Sequence, residues 1–284
     1  MSASLREMDT SSGFNAWREV VDGCFVRRHE SFDMSCGVVA GGEGLLVVDT
    51  RASLIQGREL AEAVRQLSPL PIRAVVNTHV HFDHTFGNGA FPGTPIVAHE
   101  SVPVALPADS RRIKAAYTAD VADPLRDEIL ATEVVAPTET FSSVWALDLG
   151  ERLVEVVHLG RGHTNGDVVV RVPDSDAVYA GDLIESSAPP VFGADSFPLE
   201  WPATLDLVVG LLTPATAVVP GHGPVVDRDF VQSQRGDIVD VAEQIRELAA
   251  TGVPADEALN RGRWPFPTDV LRDAVSRGYA ALTA

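Results

Sequence analysis

The seven residues from Thr78 to His84 contain three histidines and an aspartate: His79, His81, Asp83 and His84. Imidazole nitrogens and carboxylate oxygens are the ligands that a borderline divalent ion such as zinc prefers. The whole chain has 8 histidines among 284 residues, so three of them within one short segment are not expected by chance. The segment therefore predicts a metal site.

The residues before this motif predict how its side chains are placed. Residues 72–77 read as a buried strand, and side chains alternate along an extended chain. His79 and His81 therefore leave the end of this strand on the same side. Asp83 and His84 follow on the next turn, close enough to hold a second ion.

Three later segments share one form, in which a short apolar run ends in glycine and a potential ligand. Glycine beside a ligand lets the backbone turn sharply and approach an ion closely. Each segment alone is weak, because a lone histidine or aspartate at a strand end is more often a capping residue. The ligands they offer are His163 in residues 159–167, Asp182 in residues 178–182 and His222 in residues 217–224.

Taken in this order, the segments resemble the metallo-β-lactamase fold superfamily. The resemblance rests on the HxHxDH motif, the His163 segment, the Gly181-Asp182 pair and the PGHGP stretch at 220–224, and it extends more loosely from about Ala16 to Asp227. It implies two metal ions with a shared ligand and a mixed α/β fold, the αββα sandwich. The implied ligands are His79, His81 and His163 for one ion, Asp83, His84 and His222 for the other, and Asp182 as the bridge.

The resemblance assigns two further roles. Asp83 is expected to be catalytic as well as a ligand. Asp49, at the end of the apolar run 45–48, matches a family aspartate that supports the ligand loop from behind. The alternative for Asp49 is an ordinary turn residue at a strand end.

The order of elements along the chain predicts the same sandwich independently of the motifs, because it repeats once. Each half has a strand series ending in an aspartate, then a helix, a strand and a histidine, and two strand-rich halves covered by helices suggest two packed sheets with helices outside. The expected strands are 19–27, 36–40, 44–49 and 72–78, then 144–149, 154–159, 168–172, 177–181 and 216–219, with helices at about 53–66 and 202–212.

Regions outside this repeat complete the expected domain organisation. Residues 1–14 are expected to be disordered, and residues 15–226 to form the sandwich. A helical insertion at about 100–142, whose helical middle is expected at 110–119, lies between the two halves. Residues 227–284 are expected to be a C-terminal helical extension packed on the same domain, since apolar residues recur there at helical spacing.

Composition narrows the functional classes. The net charge of −18 repels phosphate backbones, so we expect no nucleic-acid partner. No apolar run is long enough to span a membrane, and the N-terminus lacks the pattern of a signal peptide. Cys24 and Cys36 are too few for a disulfide framework and read as buried hydrophobes. These features together predict a cytoplasmic protein that acts on a small molecule.

The expected chemistry is hydrolysis. Two zinc ions that share a hydroxide present a nucleophile near neutral pH, although iron or manganese could occupy the same ligands. The predicted substrate has an acyl bond, and a thioester, ester or lactone is favoured over a β-lactam. The alternatives are an iron-dependent oxygenase on the same fold and a β-lactam hydrolase.

Departures from known subfamilies guide this choice. Lactamases of the largest zinc subclass carry Cys in place of Asp182 and a substrate-binding Lys in place of Glu185, where glutamate would repel a drug carboxylate. Glyoxalase II holds glutathione with basic C-terminal residues, whereas here that region has only scattered arginines.

The stretch after Asp182 is expected to face the substrate through Glu185, Phe192, Phe197 and Trp201. The three remaining histidines, His29, His99 and His158, are expected to stay outside the metal site.

Overall fold

The computed structural model describes residues 13–283. The segment expected to be disordered, residues 1–14, therefore lies outside the described residues except for its last two. Of these, Phe14 has its ring 4.8 Å from the guanidinium carbon of Arg28. Among the described residues, no helix is long and apolar enough to cross a membrane.

Seven strands of the first half form one sheet, in the order β7-β6-β5-β4-β3-β2-β1. Strands β4 to β7 run parallel to one another, and β1 to β4 form antiparallel pairs. The strands are β1 (Trp17–Val21), β2 (Cys24–His29), β3 (Met34–Ala40), β4 (Leu45–Val48), β5 (Ile72–Val76), β6 (Ile96–His99) and β7 (Glu139–Phe141).

The second half forms another sheet in the order β12-β11-β10-β9-β8, in which β11 and β12 are parallel. One pair, His222 with Met34, joins β12 to β3 and so connects the two sheets at a corner. The strands are β8 (Val144–Asp148), β9 (Leu153–Val157), β10 (Val169–Val172), β11 (Ala177–Glu185) and β12 (Ala217–His222).

Helices cover the outer face of each sheet. In the first half these are α1 (Leu54–Leu67), α2 (Phe82–Thr85), α3 (Val102–Ala119) and α4 (Arg126–Ala131). In the second half they are α5 (Trp201–Leu211), α6 (Arg228–Ala250), α7 (Ala255–Arg261) and α8 (Arg272–Thr283). Short 3-10 turns lie at Ser31–Asp33 and Phe86–Ala90.

Strand alternation explains the layers. On β11, Val178 and Ala180 pack under α5, α6 and α8, whereas Ala177 and Tyr179 point between the sheets. The first sheet alternates in the same way, with Val47 packed under α1 and its neighbours turned inward. Successive side chains of a strand face opposite sides, so one apolar run serves two cores. The predicted αββα sandwich is confirmed.

Several expected boundaries differ from the structure. The run 19–27 is a hairpin of two strands, because Gly23 takes a positive φ of 65° and turns the chain. The strand at 177–181 continues to Glu185, so Asp182 lies within β11 at an irregularity in its pairing with β12. In the insertion, α3 begins at Val102, earlier than the expected helix at 110–119. The C-terminal residues 227–283 contain three helices, and α6 and α8 pack on the second sheet.

Candidate metal centre

The predicted ligands lie where strands of both halves end at one edge of the sandwich. His79 and His81 follow β5, and Asp83 and His84 lie in the single turn of α2. Asp182 lies in β11 and His222 ends β12, while His163 is in the loop after β9. The carboxyl ends of parallel strands meet at a common edge, which explains why residues far apart in sequence converge here.

Seven side chains form two groups whose ligand atoms lie within 4.8 Å of one another. The first group, here called the three-histidine group, contains His79, His81 and His163 together with Asp182. The second, here called the Asp83 group, contains Asp83, His84 and His222. The structure thus brings together all seven residues that the sequence singled out.

Asp182 lies between the two groups. Its Oδ2 is 3.6 Å from His79 Nε2 and 3.4 Å from His163 Nε2 in the three-histidine group. Its carboxylate is also 3.2 Å from His84 Nε2 and 3.3 Å from His222 Nε2 in the Asp83 group. A carboxylate with this placement can serve ions in both groups.

The outer nitrogen of each histidine faces an oxygen. In the three-histidine group, His81 Nε2 lies 3.0 Å from Asp195 Oδ2 and His163 Nδ1 lies 2.9 Å from the Val191 carbonyl. Each of these oxygens can accept a hydrogen bond from the ring nitrogen that faces it, which would leave the inner nitrogen of a neutral ring free to bind a metal. The inner nitrogens of His81 and His163 face each other at 2.8 Å.

The Asp83 group repeats this arrangement. His84 Nδ1 lies 2.8 Å from Asp49 Oδ2, and His222 Nδ1 lies 2.7 Å from the Phe32 carbonyl. The inner nitrogens of His84 and His222 are 3.3 Å apart. Burial would lower the pKa of both rings, but the neighbouring carboxylates, above all Asp182, raise it well above 6.5. A metal ion bound here would replace the protons that the cluster otherwise holds on these nitrogens.

Two buried atoms at the centre lack a hydrogen-bond partner among the described residues, His79 Nε2 and Asp182 Oδ1. Buried polar atoms are nearly always satisfied, so an unsatisfied atom in a ligand cluster indicates a missing group. The donor set of imidazoles and carboxylates fits a divalent transition metal.

Asp49 lies directly behind the Asp83 group. Its oxygens accept hydrogen bonds from the Thr78 backbone N–H and hydroxyl, each at 2.8 Å, as well as from His84. Asp49 has a positive φ of 63° and is only 1% exposed. This buried carboxylate thus connects the end of β4 with the ligand-bearing loop after β5.

Electrostatics keep the acidic ligands ionised. Burial would raise the pKa of Asp182, but His222, His84 and His79 lower it well below its ordinary value. Burial opposes ionisation of Asp83 too, yet His84 and His222 lower its pKa to about 2. Burial lowers the pKa of His163 to about 4, so this ring is neutral near pH 7 and can bind a metal.

A cavity of about 750 Å³ opens in front of both groups. Its wall is apolar at Phe32, Val80, Phe82, Ile113 and Val191. The members of the two groups exposed to it are His81, Asp83, His163, Asp182 and His222. The insertion contributes directly, because α3 forms one side of the cavity.

The residues expected to face the substrate are placed differently. Only Glu185 contacts the cavity, since Phe192 and Trp201 are buried in the core at 3% and 0% exposure. Trp201 packs against the ring of His163, with ring centroids 5.8 Å apart, and so supports a ligand from behind. Phe197 lies in the wall of a smaller neighbouring pocket. Phe192 and Trp201 therefore belong to the core of the second half.

Glu185 also behaves differently from the sequence interpretation. Its carboxyl group is 4% exposed and accepts the Val191 N–H at 3.0 Å. Burial, followed by the charge of Asp182, raises its pKa to about 8. Glu185 is therefore a buried carboxyl group held by the backbone, and not the exposed charge at the substrate that the sequence suggested.

Sequence reasoning missed Asp195 and the role of the insertion. Nothing in the local sequence marks Asp195, because its partner His81 is 114 residues away. The three remaining histidines lie outside both groups. His99 and His158 stack on each other at 4.0 Å, and His29 Nδ1 pairs with Asn15.

Comparison with known proteins places the chain in a family. Residues 33–223 match the model of the metallo-beta-lactamase superfamily. A metallo-beta-lactamase type 2 of Bacillus cereus is 30% identical over 196 residues, 68% of this chain and 68% of that protein. The acyl-coenzyme A thioesterase MBLAC2 of Homo sapiens is 27% identical over 166 residues, 52% of this chain and 57% of that protein.

Solved structures agree in fold. A metallo-beta-lactamase from Pontibacter korlensis superposes with a TM-score of 0.62 at 20% identity, covering 82% of this chain and 99% of that one. The chain belongs to the metallo-β-lactamase superfamily. Its class is that of a metal-dependent hydrolase.

Proposed function

We propose that this protein is a di-zinc hydrolase that cleaves the acyl bond of a small molecule with an apolar acyl part. A thioester, ester or lactone is the preferred substrate. The observation that carries the proposal is the convergence of imidazole nitrogens in each group, His81 with His163 and His84 with His222, with the Asp182 carboxylate between the two groups.

The two groups would each hold one ion. His79, His81 and His163 would bind the first, Asp83, His84 and His222 would bind the second, and Asp182 would be shared. Zinc at these positions would supply a water nucleophile near neutral pH and would polarise the scissile carbonyl.

The chain's own residues prepare this site. The oxygens of Asp49, Asp195 and Val191 fix the ring orientation of three histidines, so little reorganisation is needed during the reaction. Asp83 faces the cavity and is ionised at neutral pH, so one of its oxygens can accept a proton from an attacking water.

The cavity wall favours the substrate class. Phe32 is 38% exposed at the rim and its ring packs edge-on against Phe82 at 5.4 Å. Together with Ile113 on α3 they form an apolar wall that suits an acyl chain. A volume of about 750 Å³ is large enough for a small molecule, which supports a small-molecule substrate.

The proposal has two rivals. A β-lactam hydrolase is favoured by the 30% identity to the Bacillus cereus protein. An iron-dependent oxygenase would use the same imidazole and carboxylate ligands. Metal analysis of natively purified protein separates the second rival, since two zinc ions per chain contradict it and iron supports it.

A substrate panel tests the hydrolase proposal. We expect thioesters, esters and lactones to have larger kcat/KM values than β-lactams, and we expect longer acyl chains to improve kcat/KM. Loss of all turnover after removal of metal with a chelator, and recovery with zinc, is also expected. A β-lactam as the best substrate would overturn the preferred bond.

A matched pair of variants tests the apolar wall. Phe32→Ala removes a ring from the cavity rim but keeps the carbonyl that accepts from His222. Val104→Ala removes an apolar group that is 80% exposed on α3 and lies outside the cavity wall. We expect only the first to abolish the preference for long acyl chains. Equal behaviour of the two variants would contradict the role of this wall.

A further inference from the structure

A second pocket adjoins the cavity at the candidate metal centre. It has a volume of about 400 Å³ and shares four wall residues with the larger cavity: Val80, Ala105, Ala194 and Asp195. Its remaining wall includes Arg161, Phe197 and Arg277. A molecule lying in the larger cavity can therefore extend into this space, here called the arginine pocket.

Two guanidinium groups face the same aromatic ring in this pocket. The guanidinium carbon of Arg161 lies 4.3 Å from the centre of the Phe197 ring, and that of Arg277 lies 5.3 Å from it. Arg161 comes from the His163 loop, whereas Arg277 lies on α8 in the C-terminal extension. Contact with an aromatic face orients a guanidinium group and limits its motion.

The charges of the two arginines differ in how they are compensated. Arg161 donates to both carboxylate oxygens of Glu200, at 2.9 and 2.6 Å. Arg277 uses its Nε to donate to the Ser196 carbonyl at 3.0 Å. Among residues 13–283, its two terminal nitrogens have no hydrogen-bond acceptor and no carboxylate partner. Arg277 thus keeps a positive charge and a pair of donors at the pocket wall.

Asp195 is the acidic residue shared by the two cavities. Its Oδ2 accepts from His81, and this interaction overcomes burial and lowers the pKa of Asp195 to about 2. The negative charge of Asp195 is therefore paired with His81 and not with an arginine of the pocket. Asn165 and Ser101 add polar groups to the pocket wall.

We propose that the arginine pocket binds an anionic group, a carboxylate or a phosphate, at the far end of the substrate whose acyl bond lies at the metal centre. Planar guanidinium nitrogens recognise both kinds of oxyanion with paired hydrogen bonds. The inference rests on the proposed function and narrows it, because the substrate then has an anionic end in addition to its apolar acyl part. The sequence showed only scattered C-terminal arginines, and the fold places Arg277 beside the site.

Two substrate pairs distinguish the source of the anion. In the first, 4-nitrophenyl hydrogen glutarate is compared with neutral 4-nitrophenyl pentanoate, so that only the acyl end gains a carboxylate. In the second, S-acetyl-4′-phosphopantetheine is compared with S-acetylpantetheine, so that the thiol side gains a phosphate. We expect a lower KM for the anionic member of one pair, which identifies the anion.

Three variants assign the preference to Arg277. Arg277→Gln is expected to raise KM for the preferred anionic substrate on the order of tenfold while the neutral partner changes less than about twofold. Arg277→Lys should restore part of the preference. Arg272→Gln, at the exposed start of the same helix, is the matched control and should behave as the wild type.

The outcomes separate the two proposals. If all four neutral and anionic compounds resist hydrolysis by the zinc-loaded protein, the proposed function fails. Calorimetry with glutarate and with inorganic phosphate then tests the arginine pocket alone, through weaker binding to Arg277→Gln. If the neutral compounds are hydrolysed without any anion preference, or if Arg277→Gln impairs both members of a pair equally, the pocket proposal is overturned and Arg277 only holds the Ser196 loop.

Discussion

The two ligand groups differ in what orients their histidines. In the three-histidine group, His81 and His163 pair with Asp195 and Val191, which belong to the loop 186–200. That loop is accessible, since the Asp195 side chain is 47% exposed and Val191 is 53% exposed. In the Asp83 group, His84 pairs with Asp49, and these side chains are 0% and 2% exposed.

The difference predicts separate behaviour for the two groups. A buried hydrogen-bonded pair such as His84 with Asp49 belongs to the folded core, so its loss affects stability as well as the orientation of the histidine. The loop partners of the first group also form the cavity wall, so their loss should affect metal binding and substrate binding more than stability. Substitutions in each group can therefore confirm or break the comparison.

The largest effect is expected at the residue that both groups share. Asp182→Ala should lower kcat/KM on the order of a thousandfold, because it removes a ligand from both groups. His222→Ala removes one ligand of one group and should cause a smaller loss. The two variants are compared by kinetics and by elemental analysis of bound metal. Equal losses, or a milder effect at Asp182, would contradict its shared position.

Asp49→Asn should be the most damaging change behind the ligands. The amide cannot accept all the hydrogen bonds that the carboxylate takes from Thr78 and His84, and a buried donor is then left facing another donor. We expect the free energy of unfolding of the metal-free protein to fall by about 2–3 kcal/mol. Urea denaturation measures it. A free energy of unfolding equal to that of the wild type would refute the structural role of Asp49 behind the Asp83 group.

Asp195→Asn is the matched change in the other group. Because the carboxylate is half exposed, we expect the free energy of unfolding to change little. Affinity of the three-histidine group for zinc should fall roughly 10- to 100-fold, as is usual when the partner of a ligand histidine is removed. Competition with a metal chelator measures this affinity. If Asp195→Asn lowered the free energy of unfolding as much as Asp49→Asn, the predicted difference between the two groups would be wrong.

A fourth prediction concerns acid sensitivity away from the metal site. Burial, with the nearby charges of Arg51 and Arg27, lowers the pKa of His29 from 6.5 to about 2. Below about pH 6.5 the unfolded chain binds a proton there that the folded chain does not, so stability falls as pH decreases. The penalty at pH 5 is roughly 2 kcal/mol. His29→Gln should lose less stability than the wild type between about pH 7.5 and 5, measured by denaturation of the chelated proteins.

The smallest effect is expected for the histidines outside both groups. Replacing His29, His99 or His158 with Gln should leave metal content unchanged and activity largely intact. His99 and His158 are occupied by Ser101 and the Asp167 carbonyl, at 2.8 Å each. Elemental analysis of the three variants checks the prediction. A variant that empties a metal site would show that the seven-residue set is incomplete.

Much of the fold was predictable because its determinants are local. The apolar runs of β3, β4 and β9 to β12 predict strands, and Ser53 before an apolar helical pattern predicts α1, whose Gln56 N–H it caps. The hairpin at Gly23 was missed, since one apolar run continued through both strands. The N-terminal part of α3 was missed as well, because Pro103 and Pro107 weaken its helical pattern.

The sequence by itself determined which residues could bind metal, because imidazole and carboxylate groups beside glycine-rich strand ends have a chemistry that does not depend on the rest of the fold. Only the tertiary structure decided which nitrogen of each ring faces inward, because Asp195, Val191 and Phe32 are distant in sequence from the rings they orient. Packing likewise decided that Phe192 and Trp201 are buried, that α3 forms a wall of the cavity, and that Arg277 reaches the pocket beside it. Such long-range contacts depend on how the two sheets and their helices pack, which residue type and local spacing do not encode.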